Sequence, residues 1–175
     1  MIIFENNKPS GVATDFVTIA MGLIQEITGE AKIYNFNMFP KEAQLNPTEE
    51  MASKNIVYVI AHGSPTTIVN CSSGSELGAK LSGISGITNK NTSKIVLVSC
   101  STGKLPDTNP KNFAQQLASY MKIPVYGAND LISVHYNMIT DPKTNQQYAK
   151  GESFSVSGIE VGVVNGEGLT RFDPK

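Results

Sequence analysis

The sequence predicts an α/β sandwich with a mostly parallel sheet and a β-hairpin-rich C-terminal part. Three observations carry this expectation. Ile56–Ala61 and Ile95–Val98 are continuous apolar runs bounded by polar residues, the pattern of strands buried on both faces of a parallel sheet. Stripes at helical spacing alternate with strand-like runs along the first 130 residues, as in α/β layering. From Leu131 the texture changes to short alternating runs broken by turn residues such as Asp141-Pro142 and Asn165-Gly166, which read as hairpins.

Taken in order, Ile2-Ile3-Phe4 reads as a short first strand and Lys8-Pro9-Ser10-Gly11 as a turn. Phe16, Ile19, Ala20, Leu23, Ile24 and Ile27 then define one apolar helical stripe, with Gly29 in the stop position. Residues 31–36 alternate like a strand. The polar stretch 37–54, with Pro40 and Pro47, reads as a loop holding one short helix over Thr48–Met51. After the 56–61 strand and a Ser/Gly/Thr-rich stretch, Leu77, Leu81 and Ile84 suggest a modest helix. Beyond the 95–98 strand, Asn109 is placed as an N-cap with Pro110 at the first helical position. Phe113, Ala114, Leu117, Tyr120 and Met121 form that helix's expected buried stripe, and residues 123–128 the next strand. No repeat, low-complexity tract or dividing linker is visible. The expectation is one domain over 1–175, with an α/β core over 1–130 and a β-rich extension over 131–175.

Composition narrows the function. The 175 residues are 40% hydrophobic with a net charge of −1, enough apolar material for a core and no large basic footprint for nucleic acid. Arg171 is the single arginine, so a phosphate-clamping arginine cluster is absent. Cys71 and Cys100 read as free thiols in a reducing compartment. No signal peptide and no run long enough to span a bilayer is seen. The localisation expected is cytoplasmic at synthesis, with export by a leaderless route left open.

The chemistry concentrates where the two buried strands end. The first runs into His62-Gly63 and the second into Ser99-Cys100. In open α/β sheets the ligand crevice lies at the carboxyl ends of such strands. If the strands are neighbours, an imidazole and a thiol share that crevice, the minimal machinery for nucleophilic catalysis by cysteine. The amide N–H groups of Gly63 and Cys100 are candidate oxyanion donors. Either residue alone reads more plainly as core or strand-closing; two at equivalent strand ends favour a site. Cys71 sits in a loop with no strand to aim it, and His135, within an alternating run, reads as a satisfied structural histidine. A zinc site from His62, Cys71, Cys100 and His135 lacks any close ligand spacing, and no phosphate-binding Gly loop is present. No metal and no cofactor is expected. A tyrosine-phosphatase loop would need an arginine just downstream of Cys100, and a nucleophile elbow would need glycines where Val98 and Thr102 stand.

Val59-Ile60-Ala61-His62-Gly63 and Val96-Leu97-Val98-Ser99-Cys100 resemble the two catalytic motifs of caspase-like (clan CD) cysteine peptidases. Cys100-Ser101-Thr102-Gly103, the helix Phe113–Ala118 and Val125–Ala128 extend the likeness to the cysteine protease modules of bacterial toxins and effectors, over residues 57 to about 134. The resemblance implies a three-layer αβα sandwich, His62 as catalytic histidine, Cys100 as nucleophile, and Gly63 and the Cys100 amide as oxyanion donors, with no third catalytic residue required. It implies an endopeptidase acting on a protein or peptide substrate through an acyl-enzyme, self-processing or delivered into a host or target cell. Two readings stand beside it: a non-catalytic caspase-fold interaction or accessory module, and a cysteine-dependent hydrolase or acyltransferase on a non-protein amide. The chain departs from the caspase signature Gln-Ala-Cys-x-Gly, and it has Val98 where members that cut after Arg often carry Asp. The resemblance implies a substrate pocket lined by Val98, Asn129 and Asp130. Since Asn129-Asp130 reads first as a turn, an uncharged P1 residue is expected. Oligomeric state is open.

Overall fold

The computed structural model describes residues 1–5, 15–30, 33–35, 55–68, 70–84, 86–107 and 111–175. The turn expected at Lys8–Gly11, the loop with its short helix inside 37–54, and the cap expected at Asn109-Pro110 lie outside them.

The order of elements is the one the sequence predicts: β1 (Ile2–Phe4), α1 (Phe16–Thr28), β2 (Ile33–Asn35), β3 (Asn55–Ile60), α2 (Gly74–Ser82), β4 (Thr92–Val98), α3 (Phe113–Met121) and β5 (Val125–Gly127). After them come β6 (Ile132–Thr140), β7 (Gln147–Val156), β8 (Ile159–Val161) and β9 (Thr170–Phe172). A six-stranded sheet runs in the order β2-β1-β3-β4-β5-β9, parallel except for β9. A separate three-stranded antiparallel sheet runs β6-β7-β8. The strand order reverses at β1 and β3, the switch point beside which ligands sit in open α/β sheets.

Alternation along the buried strands sends side chains to opposite faces. Ile3, Val57, Val59, Ile95, Leu97 and Val125 meet Leu77 and Leu81 of α2 and Phe113, Leu117 and Ala118 of α3. Ile2, Tyr58, Ile60, Val96 and Val98 meet Val17, Ala20, Leu23 and Ile24 of α1, together with Ile132, Phe154 and Val161 of the antiparallel sheet. The sheet is thus covered on both sides, once by α2, α3 and the loops flanking α2 and once by a helix and strands. Each large aliphatic side chain fully buried this way contributes about 1.5–3 kcal/mol.

The caps are set locally. Asp15 accepts from the Thr18 amide at the start of α1, and Gly29 closes that helix in the left-handed conformation. Ser73 caps α2 through the Glu76 amide, while the Glu76 carboxylate accepts from the Ser72 amide and hydroxyl. Those bonds hold the Glu76 carboxyl below its ordinary value. The hairpin turn at Asp141 is an Asx turn, its carboxylate accepting from the Lys143 amide at 2.7 Å.

Four expectations change. The cap of α3 is Asn112, whose carboxamide oxygen accepts from the Gln115 amide at 2.8 Å. Tyr120 is 49% exposed and Ala118 takes its place in the buried stripe. On α1, Ile27 is 55% exposed and Val17 joins the buried face. Asn165-Gly166 does not join two strands of the antiparallel sheet. It turns the chain inside a loop closed by a Gly162–Glu167 bridge, and β9 then returns to pair with β5 of the parallel sheet.

Candidate active site at the ends of β3 and β4

β3 and β4 are neighbours, with Ile60 opposite Val98, and the Ala61 amide donates to the Val98 carbonyl at 3.3 Å. Continued two residues further, that register sets His62 opposite Cys100. Period-two alternation sends both side chains to the face of Ile60 and Val98, the face that α1 covers. The intervening residues go the other way. Ser99 is fully buried, and a Cβ added to Gly63 would lie 2.1 Å from its hydroxyl oxygen. Any side chain after His62 would have to displace that hydroxyl, and glycine avoids the contact.

Cys100 is partly buried, and its thiol Sγ lies 3.7 Å from the backbone carbonyl oxygen of Ile132, the first residue of β6. Its loop is anchored on two sides. The Ser101 and Gly103 amides donate to the carbonyls of Asp130 and Ala128, at 2.9 and 2.8 Å. From α3, the Ala114 amide donates to the Thr102 carbonyl at 3.0 Å, and Asn112 Nδ2 to the Gly103 carbonyl at 2.6 Å. Ser101 takes a left-handed φ of 56° to make this turn.

His62 is 56% exposed at its side chain. Its backbone amide donates to Glu5 Oε2 at 2.9 Å, its Nε2 lies 3.9 Å from Asp15 Oδ1, and its ring packs against Phe16 with centroids 6.0 Å apart. Among the described residues no hydrogen bond joins the imidazole to the thiol. Nor, among them, does the Gly63 or the Cys100 amide donate a backbone hydrogen bond.

The remaining candidates fall elsewhere. Cys71 is 1% exposed and lies in the opposite apolar cluster, under α2 and α3. Burial pushes its thiol up, against the lowering influence of Lys80. His135 lies in β6, its Nε2 2.9 Å from Ser155 Oγ. Val98 is 0% exposed. Asn129 lines a cavity of about 560 Å³ together with Gly103, Lys104, Lys111, Gln115 and Phe172, and its Nδ2 donates to Thr170 Oγ1. The Asp130 carboxylate accepts from Ser157 Oγ at 2.6 Å and from the Leu131 amide at 2.8 Å. These bonds, the Ser157 one foremost, hold its carboxyl below its ordinary value. Among the described residues no group of three His, Cys, Asp or Glu side chains could hold a metal, and no helix is long and apolar enough to cross a membrane.

Sequence reasoning missed Glu5, Asp15, Phe16 and Asn112, all of which touch His62 or the Cys100 loop. Asp15 carried one usable signal, an acidic residue directly before an apolar helical stripe, which marks a cap. Nothing local marked its second contact, with a residue 47 positions on.

Residues 34–150 match the family model of a domain of unknown function, DUF8616. The match covers more than half of the chain and includes both His62 and Cys100, so the chain belongs to that family. No curated protein and no solved structure matches it.

Proposed function

We propose that this protein is a cysteine endopeptidase of caspase-like architecture, with Cys100 as nucleophile and His62 as its acid–base partner. The observation that carries the reading is the shared register and shared face of the two residues at the ends of adjacent parallel strands. Covering of the sheet on both faces, with β2-β1-β3-β4-β5 in parallel order, agrees with the three-layer sandwich that the reading requires.

In the proposed reaction the Cys100 thiol gives its proton to His62, and the sulfur attacks the scissile carbonyl. The carbonyl π electrons move to oxygen, where the Gly63 and Cys100 amides receive the charge. Collapse breaks the C–N bond, and the imidazolium returns the proton to the departing amine. Water then hydrolyses the thioester, giving its proton through His62 and restoring the thiol. Rotation of the imidazole or of the thiol out of its Ile132 contact brings the two together, since catalytic contacts commonly tighten only when substrate binds.

The substrate residue preceding the cut is proposed to be uncharged. Val98 is buried and uncharged, and the charged Asp130 carboxylate is turned onto Ser157 and the Leu131 amide and is not among the residues lining the cavity beside Asn129. A positional-scanning library of fluorogenic peptides tests this. Hydrolysis should favour small or apolar residues at that position and disappear in Cys100→Ala. A strong Arg or Lys preference that vanishes in Asp130→Ala would contradict it.

One contact favours a second reading, a non-catalytic module. The thiol rests on the Ile132 carbonyl rather than on the imidazole. Absence of any hydrolysis across the library, with the fold intact, would select that reading.

A further inference from the structure

We infer that Asp15, the capping residue of α1, is a positioning residue for His62. This rests on the proposed Cys100–His62 pair and deepens it. Two contacts place the imidazole against the start of α1: Asp15 Oδ1 at 3.9 Å from Nε2, and the Phe16 ring. The same carboxylate's other oxygen, Oδ2, caps the helix, accepting from the Thr18 amide at 3.3 Å and lying 3.4 Å from the Thr18 hydroxyl. Nε2 thus lies on the Asp15 side, and the proposed proton exchange with the thiol falls to Nδ1.

The placement has an electrostatic reason. An imidazolium beside a helix N-terminus is repelled by the positive end of the helix dipole. Without a carboxylate there, α1 would oppose the charged state that proton transfer from Cys100 creates. Asp15 offsets that repulsion at the point where it arises. Among the described residues, the charged and titratable groups beside His62 are Asp15 from α1, Glu5 from the end of β1, whose carboxylate holds the His62 backbone amide, and, by strand register, Cys100 from the end of β4. Glu5 fixes the backbone and Asp15 the ring.

The test separates charge from capping. Asp15→Asn and Asp15→Ser both keep a good N-cap and remove the charge, so their melting temperatures should match the wild type. Iodoacetamide is the probe. The Cys100 sulfur forms the S–C bond, iodide leaves, and the thiol proton goes to His62 or to solvent; mass spectrometry of peptides reads the adduct at Cys100 alone. At pH 7 both variants should be alkylated about two- to fivefold more slowly, the size expected of a solvent-exposed ion pair. At pH 10, where thiols ionise without help, the rates should converge. In 1 M salt the pH 7 difference should shrink.

Wild-type rates in both Asp15 variants at pH 7, with His62→Ala slowed, would overturn the role of Asp15 and leave the Cys100–His62 pair standing. Equal slowing of the variants at pH 7 and pH 10 would show a structural role only, which also overturns the inference. An unchanged rate in His62→Ala would overturn the pair itself, and with it any role for Asp15 through His62.

Discussion

The two faces of the parallel sheet are built differently. The face under α2 and α3 is closed by helices packed backbone to backbone: a Cβ on Gly74 of α2 would lie 2.1 Å from the Phe113 carbonyl oxygen and 2.5 Å from the Leu117 nitrogen. The face under α1 is shared between one helix and the antiparallel sheet. At its upper edge the seam between them leaves His62 exposed and Cys100 partly so. The chain's two cysteines divide the same way. Cys71, on the closed face, is a buried thiol pushed up by burial; Cys100, on the shared face, is partly exposed. Strand alternation accounts for the open side, turning His62 and Cys100 to it and Ser99 and Gly63 away from it, while Cys71 reaches the closed side from the loop before α2.

The difference can be broken most severely on the closed face. Gly74→Ala adds a good helix former to α2, which by propensity alone stabilises by about 1 kcal/mol. The backbone of α3 cannot retreat as a flexible side chain would, so the clash should win. A net loss of about 2 kcal/mol, or roughly 4–8 °C in Tm, is expected in thermal unfolding. Unchanged or raised stability would show that α2 and α3 are not in this close contact.

A milder disturbance lies where the two faces meet. Gly63→Ala drives a methyl into Ser99 Oγ, whose hydroxyl is buried without a hydrogen-bond partner among the described residues. The expected cost is about 1–2 kcal/mol, with slower alkylation of Cys100 as its neighbour shifts. Ser99→Ala alone should be neutral or slightly stabilising, because it removes an orphaned hydroxyl. The double variant should recover part of the loss, a coupling that a double-mutant cycle in chemical denaturation reads directly. Strict additivity would mean that the two residues do not touch.

The smallest expected effect is at the junction of the parallel sheet with β6. Asp130 has a depressed folded-state carboxyl, through Ser157 first, then the Leu131 amide and Lys104. Its contribution is therefore present above the ordinary carboxylate range, near pH 4, and is lost as pH falls through that range toward the folded value. Asp130→Asn should be slightly less stable than wild type at pH 7, and the gap should close in the most acidic buffers the fold survives. A gap that widens on acidification would contradict the assignment.

Much of this arrangement was legible in the residues. Ile56–Ala61 and Ile95–Val98 are apolar without interruption, as strands buried on both sides are, and each leads to a candidate site residue. What escaped is what depends on distant partners. Asn109-Pro110 offers a good cap signal, yet α3 begins at the Asn112 cap, where a carboxamide also reaches the Gly103 carbonyl. Tyr120 fits the apolar spacing of α3 but lies over Gly78 of α2, with about half of its surface in solvent. The short β9 carries no pattern to distinguish pairing with β5 from a third hairpin. The contact of Asp15 with His62 joins a helix cap to a strand end, and no local periodicity encodes it.

The central claim is that the open face carries a reactive thiol and the closed face an inert one. Incubation of the folded protein with a peptidyl electrophile bearing an uncharged P1 residue, followed by intact and peptide mass spectrometry, tests it most directly. A single adduct is expected at Cys100, absent in Cys100→Ala, strongly slowed in His62→Ala and retained in Cys71→Ser. An adduct on Cys71, or equal labelling of the two thiols in the folded protein, would contradict it.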